Sequence, residues 1–230
     1  MAVIEPIRED VTHPGHIKKY SAPIRLWHWV NTIVISGSLL TVLINATITD
    51  RRPVTALVKD ELKHAGAVVT DDQAGSVAHA LGDSVWSVHT YFGYALAALL
   101  LFRLVLEFFQ LADQKFIGKI KGAYRQFQTT KKERELAKHE LAVKSIYAVF
   151  YLLLIIMAVT GLFLAFEDLL APFKSIRHSV KEVHGFCMYL IIAFIVVHIA
   201  GVFLAERKDD GKGIVSDMIN GGKDTLSRKP

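Results

Sequence analysis

The chain has 230 residues, 52% of them apolar, a mean hydropathy of +0.33, and charges gathered in blocks. Such a composition excludes an ordinary soluble globular domain and points to long buried apolar segments. The net charge of +5 comes with no nucleic-acid recognition motif, so no nucleic-acid partner is expected, and the single cysteine, Cys187, rules out both a disulfide framework and a CxxCH haem-attachment site.

The N-terminal stretch MAVIEPIREDVTHPGHIKKY carries three acidic residues and no apolar run. It does not read as a cleavable signal peptide, so the first apolar segment is expected to direct insertion. That segment runs over 24–48. Three more follow at 85–109, 141–166 and 183–205. Each is about 22 to 26 residues, long enough for a helix to cross a bilayer with modest tilt. Backbone polar groups in hydrocarbon must bond within their own segment, so the predicted fold is all-α: a single membrane domain, 1–230, built as a four-helix bundle.

The connections differ in character. The first, TDRRPVTALVKDELKHAGAVVTDDQAGSVAHALGDS, is long for a bundle and has room for a short helix. It reads either as a docking surface for a protein outside the membrane or as a plain solvated loop. The second, 110–140, contains QKFIGKIKGAYRQFQ, in which Phe116, Ile120, Tyr124 and Phe127 recur at helical spacing among Lys and Arg. Two readings stay open there: an amphipathic helix on the lipid of the anionic inner leaflet, or a helix packed on its own bundle. The tail 206–230 is charged. Lys and Arg number 18 in the two tails and the second connection, against seven in the first and third. The positive-inside rule then puts both termini, the 110–140 loop and the 206–230 tail in the cytoplasm.

Of ten histidines, His13, His16, His64, His79, His139 and His178 fall in tails or connections, where a solvated side chain is the default. His28, His89, His184 and His198 lie in the spans or at their edges, where an unpartnered polar group is costly and ionisable residues usually work. His184 and His198 share the fourth span, 14 residues apart. They therefore face one side, within about 40° of whole turns, and sit about 21 Å apart along the axis. His28 starts the first span on the inner side, level with His198. His89 starts the second on the outer side, level with His184. Two His–His pairs at two depths follow.

Zinc takes four ligands, or three plus water, and no carboxylate or thiol is placed to complete such a set. Bis-His ligation of haem iron needs only two axial imidazoles and an apolar slot, so two non-covalent haems b are expected. Gly93, one turn after His89, Gly185 beside His184, and Ala200 with Gly201 after His198 leave room for such a slot or serve bundle packing. Arg25, one turn before His28, suits a haem propionate or an interfacial anchor, and Arg103 suits a propionate or Glu107 at i+4.

At these residues the sequence resembles the di-haem b-type cytochrome subunit of membrane-bound nickel–iron hydrogenases, within a wider set that includes formate dehydrogenase cytochrome subunits. The matching pieces are YSAPIRLWHW, VHTYFGYALAALLLFR, YLLLIIMAVTGLFLAF, HGFCMYLIIAFIVVH and the tail ERKDDGKGIVSDMINGGK, together covering Tyr20 to Lys223. The resemblance implies haem iron held by His28 with His198 on the inner side and by His89 with His184 on the outer side. It also implies the bacterial inner membrane as location, and electron flow from the iron–sulfur small subunit of an outward-facing hydrogenase, which carries a large subunit as well, to menaquinone or ubiquinone. Two stretches depart from the hydrogenase pattern: AKHELAVKS has His139 but neither Asn nor Pro before the third span, and His178 is displaced before the fourth. They bear on the partner enzyme and leave the four histidines intact. The competing readings are a stand-alone di-haem quinol oxidoreductase of the superoxide-oxidising type, which shares R-x-x-H-W, and a non-redox anchor or transporter whose histidines bond between helices.

Overall fold

The computed structural model describes residues 9–10, 13–17, 22–108, 134–207 and 213–221. The amphipathic pattern of 110–133 and most of the 206–230 tail lie outside the described residues. A short antiparallel ribbon of β1 (Glu9–Asp10) and β2 (His13–Ile17) pairs Glu9 with Ile17 and Asp10 with His13. Among the described residues all the remaining regular structure is helical: α1 (Ala22–Thr47), α2 (Arg51–His64), α3 (Asp71–Phe108), α4 (Arg134–Ala165), a 3-10 turn (Ala171–Ile176), α5 (Arg177–Glu206) and α6 (Ile214–Asn220).

Among the described residues four helical segments are long and apolar enough to cross a membrane: Ala22–Thr47, Asp71–Val105, Lys144–Ala165 and Ala171–Glu206. Each overlaps one expected span, and the fold class is all-α with the four long apolar helices that a membrane four-helix bundle requires. Their outward faces are greasy. Ile33 is 67% exposed and Leu101 63%, values that water would penalise and lipid tails accept.

The helices overrun the apolar spans where local chemistry carries them on. Helix α3 begins 14 residues before the span expected at 85–109. Thr70 and Gln73 form a reciprocal capping box, with the Gln73 amide donating to Thr70 Oγ1 at 3.2 Å and the Thr70 amide to Gln73 Oε1 at 2.9 Å. Asp71 and Asp72 in the first turn add charge that favours the helix N-terminus. With 38 residues, α3 is about 57 Å long against a hydrocarbon core of about 30 Å, so one end projects beyond it.

The first connection does hold a short helix, α2. Asp50 caps it by accepting from the Arg52 amide at 3.0 Å. It ends in a Schellman turn: Gly66 takes φ 81°, its amide bonds to the Lys63 carbonyl, and the Ala67 amide bonds to that of Leu62.

The chain divides into two compact units, one of residues 1–29 with 99–230, the other of residues 30–98. In the first, α4 packs along α5, with Leu154 fully buried and Leu153, Ala158, Cys187 and Ile191 nearly so. Trp27 donates its indole N–H to the Leu99 carbonyl at 3.2 Å and stacks on Tyr151. Arg177, at the start of α5, pairs with Glu167 and donates to the Leu164 carbonyl at 3.0 Å, tying the α4–α5 connection together. At the other end of α5 the Glu206 carboxylate accepts from the amides of Gly213 (2.7 Å) and Val215 (3.3 Å), and the Trp29 indole donates to the Met218 carbonyl at 3.1 Å. These bonds seat α6. In the second unit α1 approaches α3 closely at Gly37, where a Cβ would lie 2.4 to 2.9 Å from the Phe92 ring. Only glycine fits there without displacing an aromatic side chain.

Candidate functional site

The four intramembrane histidines are placed by two devices. At the first, in the unit of 1–29 and 99–230, α1 brings His28 and α5 brings His198 to a ring-centre separation of 6.3 Å, the planes inclined by 53°. Two metal–nitrogen bonds of about 2 Å, each continued by about 1 Å to its ring centre, span about the same distance. The pair is walled by aromatics. Trp29 meets His28 edge-on, Phe194 stacks one turn before His198 at 5.7 Å and 7°, and Phe150 stacks on Phe194 at 4.1 Å. Arg103 is buried, 9% exposed, with its guanidinium 6.0 Å from the Tyr151 ring centre. Arg25 stands half-exposed in the first turn of α1. The side chain of Glu107, the alternative partner of Arg103, lies outside the described residues.

The second device is a pair of threonines. In the unit of 30–98, His89 Nδ1 lies 2.9 Å from Thr41 Oγ1 and 3.3 Å from the Ser38 carbonyl. In the other unit, His184 Nδ1 lies 2.8 Å from Thr160 Oγ1. The threonine hydroxyls are already donors: Thr41 to the Ser38 carbonyl and Thr160 to the Ile156 carbonyl, both at 2.6 Å. A hydroxyl has one proton to give. With that proton committed to a carbonyl, each oxygen can only accept from the histidine, so Nδ1 carries the hydrogen. The tautomer deduced in both cases carries its hydrogen on Nδ1, the form in which Nε2 is the nitrogen that could bind a metal. Gly161 gives the His184 ring its place: a Cβ there would come within 3.2 Å of His184 Cε1.

The donor set fits haem b. It consists of imidazoles with oriented rings in apolar surroundings, and among the described residues no three His, Cys, Asp or Glu side chains converge as a metal cluster. An added Cβ at Gly93, Gly185 or Gly201 would meet nothing within 4 Å, and Gly201 lies on the exposed surface. The connection histidines behave as solvated side chains where they are described. His79 and His64 face the i±4 carboxylates of Asp83 and Asp60, and His178 is exposed. Sequence reasoning passed over Thr41, Thr160 and Gly161. The signal was there: a hydroxyl in mid-span needs a polar partner, and Thr160–Gly161 sits inside the matched stretch YLLLIIMAVTGLFLAF.

The family profile described as prokaryotic cytochrome b561 matches residues 19–221, and the chain belongs to that family. No curated protein and no solved structure matches it. With four helices able to cross a bilayer, it is a multi-pass protein of the bacterial inner membrane and a haem b electron-transfer protein.

Proposed function

We propose that this member of the prokaryotic cytochrome b561 family is the di-haem membrane subunit of a hydrogenase or related oxidoreductase, passing electrons from its iron–sulfur subunit to the quinone pool. The observation that carries the reading is the approach of His28 and His198, two imidazoles with ring centres 6.3 Å apart that could share one metal. Haem b supplies reversible one-electron transfer when bound. Everything else is the work of the chain. His28 and His198 would hold the inner iron. His89 and His184, matched in sequence depth and each with an Nδ1–threonine bond, would hold the outer one. Trp29 and Phe194 pack on the inner pair and Phe150 on Phe194, and Arg103, which is buried, would face a propionate, with Arg25 and Gly93 as further haem surroundings.

Direction follows from the asymmetry of Lys and Arg: both termini, the 110–140 loop and the 206–230 tail are cytoplasmic, so electrons enter at the His89–His184 side and leave at the His28–His198 side. The hydrogenase assignment is supported by the tail motif ERKDDGKGIVSDMINGGK. Its segment Ile214–Asn220 forms a helix held by Glu206 and Trp29 at the inner pair's end of α1 and α5.

A dithionite-reduced-minus-oxidised spectrum of purified protein, with haem quantified per chain, tests the reading. Bis-His b-type bands and two haems per chain are expected, falling to one in His184→Ala and to one, of the other kind, in His198→Ala. A haem-free spectrum from cells with ample haem, or either variant keeping both haems, defeats it.

A further inference from the structure

Outside the haem region, the unit of residues 30–98 carries a basic groove of about 900 Å3 beside α2. Arg51, Thr55, Lys59 and Lys63 follow one another at four-residue spacing, so one helix face lines the groove, with Arg52 beside them. Lys59 is tied to Asp71, and Asp60 faces His64 at 3.7 Å. Among the described residues, no carboxylate pairs with Arg51, Arg52 or Lys63. Three cations without a carboxylate partner, with the Asp60 carboxylate also in the lining, thus face a cavity large enough for a substantial ligand.

Depth identifies the ligand. A Cβ on Gly82 would lie 3.7 Å from Asn45, near the end of the apolar part of α1, and one on Gly75 would lie 3.6 Å from the Arg51 guanidinium. Those glycines are seven residues apart on α3, so Arg51 sits about 10 Å further out than Asn45. Ile48, the last apolar residue of α1's exit, lies between. That height falls in or at the edge of the headgroup layer, about 5 to 8 Å thick beyond the hydrocarbon on each face. Val68, which also lines the groove, is 96% exposed, and Leu57 on α2 is 58% exposed. Apolar side chains left open beside cations at this depth match a lipid, with its phosphate and its acyl chains, better than a solvated acidic peptide.

We infer that this groove is a binding site for an anionic phospholipid, its phosphodiester held by Arg51, Arg52 and Lys63 and its acyl chains lying along the apolar residues below. The Lys59–Asp71 tie closes the far wall and orders the loop that carries Val68.

The test is native mass spectrometry of the detergent-purified, haem-loaded full chain. It is titrated separately with dihexanoyl-phosphatidylglycerol, dihexanoyl-phosphatidylcholine and inorganic phosphate. One phosphatidylglycerol should bind in preference to the other two. Each juxtamembrane cation contributes about fivefold in affinity, so Arg51→Gln/Arg52→Gln/Lys63→Gln should weaken binding about a hundredfold while Lys63→Arg keeps it. If the triple variant loses its helical circular dichroism, Arg52→Gln alone should still read about fivefold. Unchanged binding in the variants, or equal binding of the neutral lipid, overturns the inference. Phosphate binding as tightly as phosphatidylglycerol makes it a free-anion site and overturns it too. So does a triple variant that keeps its lipid but no longer co-purifies with an acidic protein partner.

Discussion

Replacing Thr160 with valine probes the arrangement at its most specific point. The two side chains are nearly isosteric, so packing of α4 on α5 is left almost as it was while one acceptor disappears. His184 Nδ1 then loses the hydroxyl acceptor 2.8 Å away. Loss of a buried hydrogen-bond acceptor of this kind costs about 1 to 3 kcal/mol, which makes ligation by the other nitrogen or a tilted ring competitive. Loss of an outer-shell partner of a ligating histidine typically costs about 10- to 100-fold in affinity, the same range. A second effect acts on the iron: an Nδ1–H···O bond makes the imidazole a stronger donor and favours the ferric state, so its removal should raise the potential of one haem. The assay is haem titration of the apo-protein followed through the Soret band, with a potentiometric titration of the loaded form. Thr160→Val should weaken one of two binding steps and shift one midpoint upward, whereas Thr160→Ser should resemble the parent. Two unchanged steps with two unchanged midpoints, or a serine variant that behaves as the valine one, would refute the deduced tautomer.

Thr41→Val should reproduce this phenotype at His89, though more weakly, because the Ser38 carbonyl remains as a second acceptor at 3.3 Å. Gly37→Ala should destabilise the protein by about 1 to 3 kcal/mol in a detergent melting experiment, since its Cβ meets the Phe92 ring, and Phe92→Leu in the same chain should recover part of the loss. Glu206→Ala removes the acceptor for the Gly213 and Val215 amides, so limited proteolysis should cut ahead of α6 several times faster, an opening of low local stability read directly as a rate. Cysteines introduced singly at Lys121 and Lys63 in a Cys187→Ser background should label from opposite faces of intact cells, Lys63→Cys from outside; the reverse pattern would invert the assigned direction of electron flow.

Apolar length and intramembrane histidines were legible along the chain because both are local properties. A run of some twenty apolar residues crosses hydrocarbon whatever its neighbours do, and a histidine within it is costly unless it finds a partner. The early start of α3 was also written locally, in Thr70, Asp71, Asp72 and Gln73. It was missed because the span was bounded by hydropathy, which says where lipid ends and nothing about where the helix does. Depth along a helix comes from counting residues at 1.5 Å each, and His28 and His198, level by that count, have ring centres 6.3 Å apart. The rotation of one helix about its axis relative to the next cannot be counted in this way. It is set by packing among residues far apart in sequence, such as Gly37 against Phe92 and Trp27 against Leu99. That rotation decides that Thr160 reaches His184 across 24 residues, Thr41 reaches His89 across 48, and Trp29 reaches the Met218 carbonyl across 189. The sequence by itself determined which histidines lie in the apolar spans and at what depth. Only the tertiary structure decided which nitrogen of His89 and of His184 meets a threonine hydroxyl.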